Sequence, residues 1–163
     1  MNKHIIGQNS AKNILAAVIY KHYVGYYSKA NLPKSNILLV GPPGVGKTLM
    51  IKTLSDYLDV PIIFSDATKL TRAGYLGSDP EGLIKKLIQN SEFDIDKAER
   101  GIVFIDHIDK ISYPNGPAAV LGLQESLLNL FEGTEVEADF GNPQQESISI
   151  STDNILFICA GTF

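Results

Sequence analysis

Four short, unbroken apolar runs punctuate the chain: Ile37-Leu38-Leu39-Val40, Pro61-Ile62-Ile63-Phe64, Ile102-Val103-Phe104-Ile105 and Ile155-Leu156-Phe157-Ile158-Cys159. Runs of this length without polar alternation predict strands covered on both faces, as in a parallel sheet. Between them the spacing switches to the helical period. Residues 8–26 place Ala11, Ile14, Leu15, Val18, Ile19 and Tyr23 on one stripe, and 31–35 break it. A second helix is predicted from Lys47 to about Leu58. A third follows Asp79-Pro80-Glu81, with Asp79 as cap, Pro80 as first helical residue and Leu83, Ile84, Leu87 and Ile88 as its apolar face. A short helix is expected around 93–99. A loop over 112–119 precedes helical spacing at 121–131, with Gly133 as terminator. Residues 134–139 and 147–150 are expected to pair as a hairpin.

Strands alternating with helices in this way imply an α/β fold, a parallel sheet flanked by helices on both faces. The length of 163 residues suits one domain, and no internal repeat is present. With 44% hydrophobic and 20% charged residues and a mean hydropathy of +0.04, disorder is excluded. The single Cys159 excludes a disulfide framework or a cysteine-based structural zinc site within the chain, and it suits a reducing compartment. Net charge −4 and an isoelectric point near 5.3 argue against broad capture of nucleic acid. No apolar run approaches the roughly 20 residues of a membrane span, and residues 1–7 carry no secretory signal pattern. A cytoplasmic protein without membrane or nucleic-acid partners is the expectation.

Chemistry concentrates after the first strand. Gly41-Pro42-Pro43-Gly44-Val45-Gly46-Lys47-Thr48 fits the phosphate-loop spacing, between a predicted strand and a predicted helix. Glycines let the backbone wrap so that its amides point at phosphate oxygens, and the helix start adds its dipole. Lys47 supplies a full positive charge for the β- and γ-phosphates of ATP or ADP. The Thr48 hydroxyl is placed to ligate Mg²⁺. Asp106, at the carboxyl end of the third run, is the expected second acid of the Mg²⁺ site. Asp109 reads as a solvated or capping acid. No guanine-recognition signature accompanies the loop, which sets aside a GTPase.

His107 is the unusual residue. ATPases of this kind usually carry a Glu there, which polarises the attacking water. An imidazole is able to act as a base, but its shape and partial charge differ. A solvated histidine with no catalytic part is the favoured reading on base-positioning grounds.

Beyond these motifs, Ile6-Gly7-Gln8, Asp66-Ala67-Thr68, Ala73-Gly74-Tyr75-Leu76-Gly77, Ile108-Asp109-Lys110-Ile111-Ser112, Phe131-Glu132-Gly133-Thr134 and Pro143-Gln144-Gln145-Glu146 appear in order along the chain. Together with the phosphate loop and the third and fourth runs, they resemble the ClpX family of AAA+ protein unfoldases through nearly the whole length. The resemblance implies a large AAA+ ATP-binding subdomain, residues 1–163, from a homo-hexamer that pulls polypeptide substrates through a pore toward a ClpP-type peptidase. The compartment it implies is the cytoplasm or an organelle lumen of bacterial origin. Ile5 and Ile6 match the segment that packs against adenine, and Leu49 extends the nucleotide-binding set. Gly74, Tyr75, Leu76 and Gly77 match the pore loop that grips the threaded chain, and Thr162 falls near the first-sensor position.

The chain also departs from that family. His107 stands at the Glu position, and Gly116-Pro117-Ala118-Ala119-Val120-Leu121 lacks the charged residues expected there. Glu135, Glu137 and Asp139 make an otherwise basic second pore loop acidic, unless they form only a solvated hairpin face. The sequence reads as a subdomain truncated after its fourth core strand, without the zinc-binding amino-terminal domain or the small helical subdomain. Weak nucleotide binding and slow hydrolysis are expected. The alternative is a degenerate ATP-binding regulatory or structural module without motor activity.

Overall fold

The computed structural model describes residues 5–28, 34–70, 80–111, 118–141 and 147–163. Four strands, β1 (Ile37–Val40), β2 (Ile62–Asp66), β3 (Ile102–Asp106) and β6 (Leu156–Gly161), form one parallel sheet in the order β1-β6-β3-β2. The fourth apolar run is therefore inserted between the first and third. Strands β4 (Glu135–Ala138) and β5 (Ile148–Ser151) pair antiparallel as the expected hairpin. Its acids Glu135 and Glu137 face outward and Asp139 is exposed just beyond, while Val136 and Ala138 are buried.

Each face of the sheet has its own core, because successive strand residues point to opposite sides. Ile102, Phe104, Leu156 and Ile158 pack with helices α1 (Asn9–Ser28) and α2 (Lys47–Ser55). Val103, Ile105, Phe157 and Cys159 pack with α3 (Glu81–Asn90), the short α4 (Ile95–Glu99), α5 (Ala118–Glu132) and the hairpin. The face expected for α3 is fully enclosed, with Leu83, Ile84, Leu87 and Ile88 all at 0% exposure. Gly133, which ends α5, has φ of 110°, and a Cβ there would run into the Asp153 carboxylate.

Three sequence expectations need correction. Only β3 and β6 are covered on both faces. β1 and β2 are the sheet edges, and Leu38, Val40 and Phe64 are exposed by 55%, 58% and 41%. An apolar run does not distinguish a central strand from an edge whose outer side chains remain bare. On α1, Leu15 and Ile19 are buried, but Ile14 is 62% exposed and Ala11 is exposed, since they face the bare side of β1 rather than the core. Element ends also shift. α2 stops at Ser55, α5 starts inside the expected loop at Ala118, and Pro80 is the cap residue of α3 rather than its first helical residue. The expected cap Asp79 lies outside the described residues.

Cys159 faces the larger core, and burial pushes its thiol up to about 12. Because the thiolate is the reactive form, labelling of native protein near pH 8 is expected to run about a thousandfold slower than in denaturant. Native labelling as fast as that of the unfolded chain, followed with a chromogenic disulfide reagent, would contradict this packing.

Candidate functional site

Parallel strands leave their carboxyl ends on one edge of the sheet, and the polar residues gather there. The phosphate loop leaves β1 and enters α2. Gly44 and Gly46 adopt φ of 79° and 91°, and a Cβ built on either meets nothing within 4 Å, so their inner side is open. Among the described residues, the backbone amides from Gly44 to Leu49 donate no hydrogen bond; Met50 is the first to do so, to the Gly46 carbonyl. Six free amides on an open concave turn at a helix start make an anion cradle.

The loop is braced from two sides. Gln8 Nε2 donates to the Val45 carbonyl at 2.5 Å, and the Gly41 amide donates to the Gly161 carbonyl at 3.3 Å. Lys47 folds back over the loop, with Nζ donating to the carbonyls of Gly41 (2.6 Å) and Pro42 (3.0 Å). Thr48 Oγ1 donates to Asp106 Oδ2 at 2.5 Å, across 58 residues of sequence. A hydroxyl and a carboxylate in contact beside an anion cradle are the hard-oxygen donors that Mg²⁺ takes alongside phosphate and water, so these residues fit Mg²⁺ with a nucleotide. Among the described residues, no group of three or more His, Cys, Asp or Glu is placed to hold a metal ion by itself. Mg²⁺ bound through phosphates does not need one.

Asp106 Oδ1 accepts the His107 amide at 2.9 Å, and His107 sits in the left-handed region at φ 58°. Its side chain is 54% exposed. A cavity of about 380 Å³ opens here, lined by Thr48, Asp66, Asp106 and His107 and flanked by Lys52, Lys69 and Lys86. Asp66 ends β2 directly opposite Asp106 in the β2–β3 register. Its Oδ1 accepts from Thr68 Oγ1 (2.7 Å) and Thr68 N (2.9 Å). The hydroxyl bond foremost, then the amide bond and the nearby His107 and Lys69, hold the Asp66 carboxyl below the ordinary carboxylate range, despite its slight burial.

Thr162 reaches the mouth of the loop, its Oγ1 donating to the Gly41 carbonyl at 3.3 Å. Its amide donates to Asp109 Oδ1 at 3.1 Å, while Lys110 Nζ lies 3.0 Å from Asp109 Oδ2. Asp109 is thus bound in place rather than solvated, and the Lys110 and Thr162 bonds hold its carboxyl below the ordinary range. The structure therefore brings together the loop residues from Gly41 to Thr48 with Asp106, His107 and Thr162.

Other candidates do not join this cluster in the same way. Ile5 is buried in the α1–α2 core, its carbonyl accepting from Lys12 Nζ at 3.1 Å, whereas Ile6 is 96% exposed. The paired adenine role expected for them is thus split between a core side chain and a bare one. Leu49, on the first turn of α2, is 49% exposed. Gly74, Tyr75, Leu76 and Gly77 lie outside the described residues. Two contributors, quoted in the sequence only among the motifs of the resemblance, were not expected at the site. One is the Gln8 clamp, which has no local signature. The other is Asp66, whose signal was weaker than that of Asp106: it follows the second apolar run only after Ser65, whereas Asp106 follows the third directly.

The family model described as "AAA domain (Cdc48 subfamily)" matches residues 32–163. A curated relative, the "ATP-dependent Clp protease ATP-binding subunit ClpX" of Treponema denticola, is 42% identical over 178 aligned residues. That alignment takes in 100% of this chain and 43% of the relative, so the chain spans less than half of the relative's length. Among the described residues, no helix is long and apolar enough to cross a membrane. The phosphate loop after β1, Asp106 at the tip of β3 one strand beyond β6, and these two matches lead to one classification: the chain belongs to the AAA domain family and is a ClpX-like AAA+ protein.

Proposed function

We propose that this chain binds Mg²⁺–adenine nucleotide on the loop 41–48 and is the nucleotide-binding part of a ClpX-like unfoldase subunit. The observation that carries this reading is the row of six amides without acceptors beside the Lys47 ammonium and the Thr48–Asp106 contact. Lys47 exchanges its two carbonyl partners for the β- and γ-phosphate oxygens. Thr48 and Asp106 would hold Mg²⁺, which when bound would neutralise phosphate charge. Thr162, whose hydroxyl is tied to the start of the loop, takes the first-sensor role by resemblance. Ile5 and Ile6 are assigned to the adenine side by resemblance alone. So are the polypeptide-gripping role of Gly74, Tyr75, Leu76 and Gly77, the homo-hexamer, and the delivery of substrates to a ClpP-type peptidase.

Calorimetry tests the binding step directly. Heat with Mg-ATP and Mg-ADP that is lost on adding EDTA is the expected result; no heat even at millimolar nucleotide sinks the reading. Turnover by this chain is expected to be slow. His107→Glu, which restores an ionised carboxylate beside Asp106, is expected to raise single-turnover hydrolysis at least about tenfold, toward the scale of a positioned general base.

A second reading, a nucleotide-binding regulatory module without motor activity, is favoured by the half-exposed imidazole of His107 at the position where a carboxylate would polarise water. Tight binding with no hydrolysis, both before and after His107→Glu, would select it.

A further inference from the structure

The β4–β5 hairpin leaves a strand edge open. The Thr152 amide donates to the Thr134 carbonyl at 2.9 Å, which makes Thr134 and Thr152 a hydrogen-bonded rung. Antiparallel rungs recur at every second residue, so the next two are Val136–Ile150 and Ala138–Ile148. Glu135 and Glu137 fall between rungs, and their amides and carbonyls point away from β5. Among the described residues, only the Thr134 hydroxyl takes up any of these groups, at 3.4 Å from the Glu135 carbonyl.

Beside this edge runs a groove of about 340 Å³, walled by β4, α5 and the start of α3. Pro80, Glu81, Ser126, Asn129, Glu135 and Glu137 line it, and no lining residue is basic. Glu81, Glu135 and Glu137 are exposed. Glu135 Oε2 accepts the Ser149 hydroxyl at 3.0 Å, and among the described residues no Lys, Arg or His forms an ion pair with any of the three.

We propose that this edge is a docking site for an extended polypeptide segment of alternating basic and apolar residues, which adds to β4 as a further strand. Open strand edges recruit chains in this way, with main-chain bonds giving affinity and alternate side chains giving selectivity. The Glu135 and Glu137 side chains share one face of the hairpin, so the incoming residues on that face are Lys or Arg, set against carboxylates. The intervening residues fall on the face of Val136 and Ala138, which are buried, and apolar side chains suit it. A second copy of this chain fits the edge poorly. Pairing β4 with β4 sets glutamate against glutamate, and like charges opposed across strands are unfavourable. The groove shares no lining residue with the cavity at Asp106, and the proposal does not rest on nucleotide binding.

The probe is a fluorescein-labelled Lys-Val-Lys-Val-Lys-Val-Lys peptide, titrated with the chain at low salt and followed by anisotropy. Saturable binding below millimolar concentration is expected. The double variant Glu135→Lys, Glu137→Lys is expected to weaken it at least about tenfold, because two attractive cross-strand pairs become repulsive. Main-chain pairing is read on the peptide, where folding of a variant is not at issue. Methylating one alternate set of its amide nitrogens is expected to abolish binding, while methylating the other set changes affinity less than about twofold, since only one set faces β4.

No saturable binding at millimolar concentration, equal effects of the two methylation patterns, or an affinity unmoved in the folded double variant overturns the proposal. So does equal binding of the block-ordered peptide Lys-Lys-Lys-Lys-Val-Val-Val, which would show only attraction to the net charge of −4. Self-association of the chain that the double variant abolishes would give the edge to a second copy and overturn it as well. Failure to bind Mg-ATP would defeat the function proposed above and leave this measurement untouched.

Discussion

Lys47→Ala is expected to weaken Mg-ATP binding roughly 10- to 150-fold while leaving the thermal unfolding midpoint almost unmoved. The size follows from the interaction lost: a hydrogen bond to a charged group contributes about 1.5–3 kcal/mol, and 1.4 kcal/mol is a factor of about 10 in affinity. The small effect on folding follows from what Nζ does without nucleotide. It donates to two loop carbonyls, one of them through an exposed contact, and water replaces those bonds at little cost. The cradle amides and the Thr48–Asp106 contact survive the substitution, so weakened rather than abolished affinity is expected. The measurement is calorimetric titration of wild type, Lys47→Ala and, as control, Lys21→Ala, an exposed lysine of α1 that lines neither the loop nor the cavity. Equal affinities in all three would remove the loop from the binding site.

Phe157→Ala is expected to destabilise the fold by about 3–5 kcal/mol, the range for deleting a fully buried aromatic side chain. Phe157 has 0% exposure and lies on β6, between β1 and β3. Its ring packs against Phe131 with centroids 5.0 Å apart, and Lys34 Nζ sits 5.0 Å from its centroid. No neighbour can close the gap, since the strands on either side are held in register by the sheet. A domain of this size is stable by only about 5–15 kcal/mol, so the variant should unfold at much lower denaturant and fall close to the threshold for folding at all. Phe64→Ala is the matched contrast. Phe64 lies on the edge strand β2 and is 41% exposed, so a loss of about 1 kcal/mol is expected there. The chain has no tryptophan, so urea unfolding is best followed by circular dichroism. A Phe157→Ala cost no larger than that of Phe64→Ala would contradict the two-sided burial of β6.

The two substitutions also mark how far the sequence could be read. Lys47 was legible because the phosphate loop is eight contiguous residues between a strand and a helix, and its geometry is local. Phe157 was legible as buried, but so, wrongly, were Leu38, Val40 and Phe64. All four sit in apolar runs of the same appearance. What separates them is strand order, since β6 lies inside the sheet while β1 and β2 form its edges. The apolar stripe of α1 failed for the same reason, because Ala11 and Ile14 lie toward the uncovered edge of the sheet.

The site divides in the same way. Asp106 was found from the motif, and Thr48 from its own loop, yet their contact spans 58 residues and exists only because β3 and the start of α2 meet at one sheet edge. Asp66 carried only a faint sign, an aspartate one residue beyond an apolar run, and its place near His107 comes from the parallel register that sets it opposite Asp106.

The chemistry of single short segments was thus settled by amino-acid order alone: which stretches are strands, which are helices, and which loop is shaped for phosphate. Those properties depend on neighbours within a turn or two, through backbone geometry and the period of apolar side chains. Strand order, the identity of the edges, the Gln8 clamp and the meeting of Asp66, Asp106 and His107 were decided by folding itself. They depend on which distant segments hydrogen-bond and in what register, a choice made by the collective packing of both cores that no local pattern records.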